Sequence, residues 1–264
     1  GSMDTTGTGT IDLVTPAGAI NIGDGGIVAG SGDVTLNSNT TVDESADNDT
    51  VNITTSGALT IDAGGAVGAS GGAGIAGTGP LDVQAGSLDV SVSGAGGLFL
   101  KDTGGVTLTD LDTANGGIEV RSSAGIDAQD VQASSPVTII ADTGDLEVDT
   151  VAASGGDAVT LTATAGSIVD NDTNSSVTSA TGLADLNANG TIGSGAAPIN
   201  TTVATLDIAA GGDVVVNETD AVELTGVNIT GGGGLDLDAG GAISDAAGPT
   251  IAEAGNADFA DGGG

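Results

Sequence analysis

The chain has 264 residues, and its 36 acidic side chains face only two bases, Lys101 and Arg121, for a formal net charge of −34. Nucleic acid is excluded as a partner, because nothing basic is present to displace counterions from phosphates, and an anionic membrane surface would repel the chain. With no Cys and no His, disulfides, zinc sites and a Ser-His-Asp triad are excluded too, and no apolar run approaches the ~18 residues that span a bilayer.

Strong acidity raises the question of disorder. The aliphatic content lies slightly above the level at which highly charged chains stay unfolded, and the regular patterning below predicts a fold. Aromatic rings are confined to Phe99 and Phe259, so the core must be thin and built from Val, Ile, Leu and Ala rather than from large rings.

In chain order, Gly1-Ser2-Met3 reads as a cloning scar. From there apolar residues come in alternating triplets: Val34-Thr35-Leu36, Val51-Asn52-Ile53, Leu59-Thr60-Ile61, Val106-Thr107-Leu108 and Leu146-Glu147-Val148. Apolar, polar, apolar is the period of a strand with one buried face. No stretch places apolar residues at i, i+3, i+4 and i+7, so no helix is expected. The 49 glycines cluster between triplets, where turns need positive φ.

The triplets also recur at longer range. Leu98, Ile118 and Val137 are 20 and 19 residues apart; Val106, Ile126 and Leu146, and likewise Leu111, Val131 and Val151, are 20 apart each time. Three strands in every ~20 residues describe a coil with three faces. The series continue through Val159, Ile168 and Val177; Leu186, Ile192 and Ile199; Leu206, Val214 and Val222; and Leu235, Ile243 and Ile251. Wider spacings near 170–180 and 217–234 predict loops bulging from a corner. The expected fold is all-β, a right-handed three-faced parallel β-helix over residues 4–255 with about 11 or 12 coils. Residues 256–264 form a Gly-rich, frayed end. A β-sandwich shares the short strands but brings Tyr or Trp anchors and lacks a 20-residue repeat.

Four stretches share one form, a strand followed by a small-residue corner and the next strand. They are Ala58-Leu59-Thr60-Ile61-Asp62-Ala63-Gly64-Gly65-Ala66-Val67, the run from Ala158 to Asp170, the run from Ala204 to Val214, and the run from Gly234 to Asp245. This wording resembles the repeats of filamentous-haemagglutinin-like exoproteins and giant β-strand-repeat bacterial adhesins. The resemblance implies export by two-partner secretion or an autotransporter route, and a place at the bacterial cell surface or outside the cell. It further implies a structural and adhesive shaft serving attachment or biofilm formation, whose full-length molecule meets a host-surface, glycan or matrix receptor. Neither the family's secretion domain nor its membrane barrel is recognisable, so an internal piece of a longer protein is expected. The alternative is a carbohydrate- or receptor-binding module, calcium-dependent or not. An enzyme is not expected, and a monomer without membrane insertion is.

Candidate sites compete with simpler readings. Asp170, Asp172 and Asn174 have the alternate-residue spacing of a calcium loop, although Ser175 stands where an EF-hand needs Gly; an Asx-rich turn that caps its own backbone explains the same residues. Asp43, Asp47 and Asp49, with Glu44, form a second acidic cluster of the same two meanings. No cofactor is required; calcium is the one ion these loops could hold. Lys101 and Arg121, one coil apart, are expected on one corner near Asp102, Glu119 and Asp142. They could serve a β-helical polysaccharide lyase, or simply relieve acidic repulsion. Outward Thr107, Thr138 and Thr160 would suit an ice-binding ladder, but Glu119, Glu147, Asp207, Glu223 and Asp236 interrupt it. With 36 carboxylates, a glycosidase-like acid pair carries no information.

Overall fold

A computed structural model describes residues 3–5, 7–23, 25–45, 50–69, 79–170, 173–246, 251–252 and 255–261. Among the described residues every regular element is a strand, and the chain is a parallel β-solenoid of about 11 turns. It divides into two compact units, residues 1–124 with 130–134, and residues 125–129 with 135–264.

In the first unit, strands Ile11–Thr15, Val34–Ser38, Ala58–Ala63, Ser87–Val92 and Val106–Thr113 pair in parallel, each with its equivalent one turn on. The in-register stack places Val34, Leu59, Leu88 and Leu108 in one inward column and Leu36, Ile61, Val90 and Leu111 in the next, all almost inaccessible to water. A second line runs through Leu98–Asp102 and Ile118–Ser122, where Leu98 faces Ile118 and Leu100 faces Val120. In the second unit, Ile139, Leu161, Leu186, Ile208 and Val227 form one such column. Leu146, Ile168, Ile192, Val214 and Leu235 form another. Each buried aliphatic side chain contributes about 1.5–3 kcal/mol, so an aliphatic interior needs no aromatic ring.

The second and third triplets of a turn share one strand. Between Leu88 and Asp89 the register slips against Leu108 and Asp110, so Thr109 is an extra residue. Such a bulge bends the strand, and Val106–Thr113 turns the corner without a loop.

Later turns use longer strands. Ser176–Ala188 and Ile199–Ala210 have 13 and 12 residues, and each runs through what earlier turns divide in two. This changes the phase of the last series. Leu235 stacks on Val214 rather than following Leu206, Leu224 takes the place beside Leu206, and Val222 faces Ile243. The expected loop at 217–234 is largely filled by strand Val222–Ile229; the one at 170–180 is a short excursion between Ile168–Val169 and Ser176–Ala188.

Such excursions recur. In the first unit a strand position is entered, left and resumed at Ile20–Ile22 and Ile27–Val28, at Val42–Glu44 and Ile53–Thr54, and at Val67 and Leu81–Gln84. In the second unit Ile192 and Ile199 bracket a small hairpin in which Ser194 and Ala197 exchange backbone hydrogen bonds. Gly68 and Gly193 start two of these departures with the same φ, 63° and 64°. A Cβ on either would collide with the next turn's carbonyl, that of Phe99 or Val215.

Inward polar residues close the corners. Asp102, 1% exposed, accepts from the N–H groups of Ala85 (3.2 Å) and Gly104 (2.7 Å) and from Ser122 Oγ (3.3 Å). Glu218 accepts from Thr201 Oγ1 (2.6 Å) and from the N–H groups of Val203 and Asp220. Burial pushes both carboxyls up, and these hydrogen bonds partly oppose it.

Candidate functional site

The two bases meet in register. Lys101 and Arg121 are direct partners on Leu98–Asp102 and Ile118–Ser122, so both stand on a strand's outer face rather than at a corner. Asp102, expected beside them, points the other way, because successive side chains alternate faces. Glu119 shares Arg121's face and lies opposite Phe99, whose ring covers Gly97.

The acid that Lys101 meets is Asp82. Their strands pair with Lys101 opposite Asp82, and Lys101 Nζ lies 3.7 Å from Asp82 Oδ1. One turn earlier, Asn52 donates its backbone N–H to the Asp82 carbonyl at 2.8 Å, just ahead of the Ile53–Val83 pair. Asn52, Asp82, Lys101 and Arg121 therefore form one lateral row on consecutive turns. The row is unusual because Asn52 and Asp82 are outward in register yet only 1% and 2% exposed.

The calcium candidates separate. Asp172, Asp47 and Asp49 lie outside the described residues. Asp170 is buried, and its two carboxylate oxygens accept the N–H groups of Thr173 (2.7 Å) and Ser175 (2.9 Å), the capping that an Asx turn provides. Asn174 is exposed. Thr173 adopts φ 71° at the tip of that turn, and Ser175 Oγ donates to Pro198 O at 3.2 Å, tying this excursion to the next one. Asp43 accepts the N–H of Glu44 at 2.9 Å, and burial raises its pKa against that bond. Among the described residues no group of three acidic, His or Cys side chains is arranged to hold a metal ion.

Outer rows of the first unit carry most of their acid at one end. Asp12, Thr35, Thr60, Asp89 and Asp110 form one row, and Val14, Asn37, Asp62, Ser91 and Asp112 the next. Two threonines are the longest uninterrupted run, so there is no flat Thr array. Asp89 and Asp112 are raised first by burial and then by neighbouring carboxylates, Asp110 and Asp62 for the former, Asp110 and Asp130 for the latter. In the second unit an open groove is lined by Thr162, Asn187, Asn189, Ala209, Asn228 and Thr230. Asn187 donates to Asp185 at 2.6 Å on its rim, and burial, then Asp207, raise Asp185.

Sequence reasoning found the Lys101–Arg121 pair from their 20-residue spacing but missed Asn52 and Asp82. The signal for these two is a polar residue at an outward position flanked on both sides by an excursion. Compared with protein-family models, curated proteins and solved structures, the chain matches none.

Proposed function

We propose that the chain is a structural and adhesive shaft segment of a large secreted bacterial surface adhesin, serving attachment or biofilm formation. The observation that carries this reading is the continuity of the aliphatic columns. In each unit every turn repeats the same narrow interior, which suits extension rather than enclosure of a substrate. The acidic coat keeps such a surface soluble and open to divalent cations. Among the described residues no helix is long and apolar enough to cross a membrane. Immunogold labelling of intact producing cells, with antibody against this chain, tests the reading. Gold standing off the outer surface is expected; label confined to the cell interior would refute it.

A second reading, a carbohydrate- or receptor-binding module, draws on the groove of the second unit. There Thr162, Asn187, Ala209 and Asn228 are successive rungs of one row, offering alternating donors and acceptors without a cation. Glycan and matrix-protein arrays separate the two. Binding that Asn187→Ala abolishes selects the module; a blank array selects the spacer.

A further inference from the structure

We infer that the first unit holds a divalent cation, of calcium-like chemistry, between Asn52, Asp82 and Glu44. Asn52 is 1% exposed, and neither its Oδ1 nor its Nδ2 has a hydrogen-bond partner. A buried amide left in that state is destabilising, and native structures tolerate few of them. Its direction is fixed by register: Asn52 and Asp82 occupy neighbouring rungs of one row, joined by the 2.8 Å backbone bond, so the amide shares the side on which the Asp82 carboxylate lies.

Charge points the same way. Asp82 is 2% and Glu44 3% exposed. Strand Val42–Glu44 packs against Leu81–Gln84, so two carboxylates and one amide come from adjoining backbone. The one ammonium in the row, Lys101, is itself partly solvated and stands at the outer side of Asp82, 3.7 Å away. Two buried carboxylates against one half-solvated ammonium leave an excess of negative charge, which burial makes costly. A hard divalent ion takes carboxylate and amide oxygens together and completes its shell with water or main-chain carbonyls. It would engage Asn52 Oδ1 and offset the second carboxylate in one step.

The test is calcium titration of the full chain by calorimetry, with terbium luminescence as an independent probe, in monovalent salt high enough to screen the acidic surface. One saturable site is expected, lost in Asp82→Asn and Glu44→Gln, weakened at least tenfold in Asn52→Leu, and retained in Asp170→Asn. In chelator, Asn52→Leu should melt higher than the unsubstituted protein, since it removes an orphaned amide, while its calcium-induced rise in Tm disappears. Should Asp82→Asn fail to fold, Asn52→Asp gives a second reading, with tighter calcium binding and a lower Tm in chelator. The inference is overturned if Asn52→Leu and Glu44→Gln keep the full calcium response, or if the response of the unsubstituted protein equals that in monovalent salt of matched ionic strength.

Discussion

Asp82, only 2% exposed, faces Lys101 across a pair of parallel strands, with carboxylate oxygen and ammonium nitrogen 3.7 Å apart. Removing one partner of a buried pair leaves an uncompensated charge, which costs more than the pair contributes. Lys101 is about one-third exposed, so water takes up part of the loss. Lys101→Met is expected to destabilise by about 1–3 kcal/mol in urea unfolding, and Lys101→Met with Asp82→Asn should recover most of it. A single substitution that left the midpoint unchanged would mean that the pair is not buried in solution.

The two departures at Gly68 and Gly193 make a local claim about backbone. Gly193 has φ 64°, and a Cβ there would strike the Val215 carbonyl, whereas Gly195, two residues on, has open space around it and an ordinary φ. Gly193→Ala should cost at least about 1–3 kcal/mol from left-handed strain alone, with the collision adding to it. Gly195→Ala should be close to neutral. Thermal melts of the two variants side by side decide it, and equal Tm values would contradict the assigned path of this hairpin.

Legibility in the sequence followed regularity of length. Leu98 with Ile118, Val137 with Val159, Leu146 with Ile168 and Val151 with Val177 are partners in space, and their spacings of about 20 residues announced it. The Asn52–Asp82 contact could not be read the same way. Thirty positions separate the two, because the excursion after Gly68 lengthens that turn, and Val51-Asn52-Ile53 looks like any other alternating triplet. Phase was lost again after Ile199, where Ile199–Ala210 carries no glycine to mark the corner. Bulges and excursions change a turn's length without changing which residues must be buried, so the interior was readable and the lateral neighbours were not.

Acidification should stabilise the protein down to the ordinary carboxylate range. Asp43, Asp89, Asp102, Asp112, Asp185 and Glu218 all have raised pKa values, each with burial as the first cause. A carboxyl whose pKa is higher folded than unfolded binds more protons in the folded state. Its contribution is complete below the unfolded pKa and is lost as pH rises through the folded one. The Tm should therefore climb as pH falls from neutral toward the mildly acidic edge of that window. Glu218→Gln should flatten the slope, since an amide can still accept from Thr201 Oγ1 without carrying a charge. A Tm that falls steadily over the same interval would show that hydrogen bonds to these carboxylates outweigh their burial.

Asp89 and Asp110 stand directly opposite each other on neighbouring strands, and like charges in that position repel. Asp110 is among the causes that raise both Asp89 and Asp112, so it sits at the centre of the strip. Asp110→Asn keeps the side-chain shape and removes the repulsion, which should stabilise by about 0.2–1 kcal/mol at low ionic strength. Because Asp110 is exposed, the gain should shrink as salt shortens the Debye length. Asp238→Asn, on an exposed position of the second unit, serves as the comparison for general charge reduction. Chemical unfolding in urea, which adds no ions, measures both at two salt concentrations. Equal gains from the two substitutions would assign the effect to net charge, whereas a larger, salt-sensitive gain at Asp110 assigns it to stacking of acids along one row, the arrangement that parallel in-register turns impose on every outward residue.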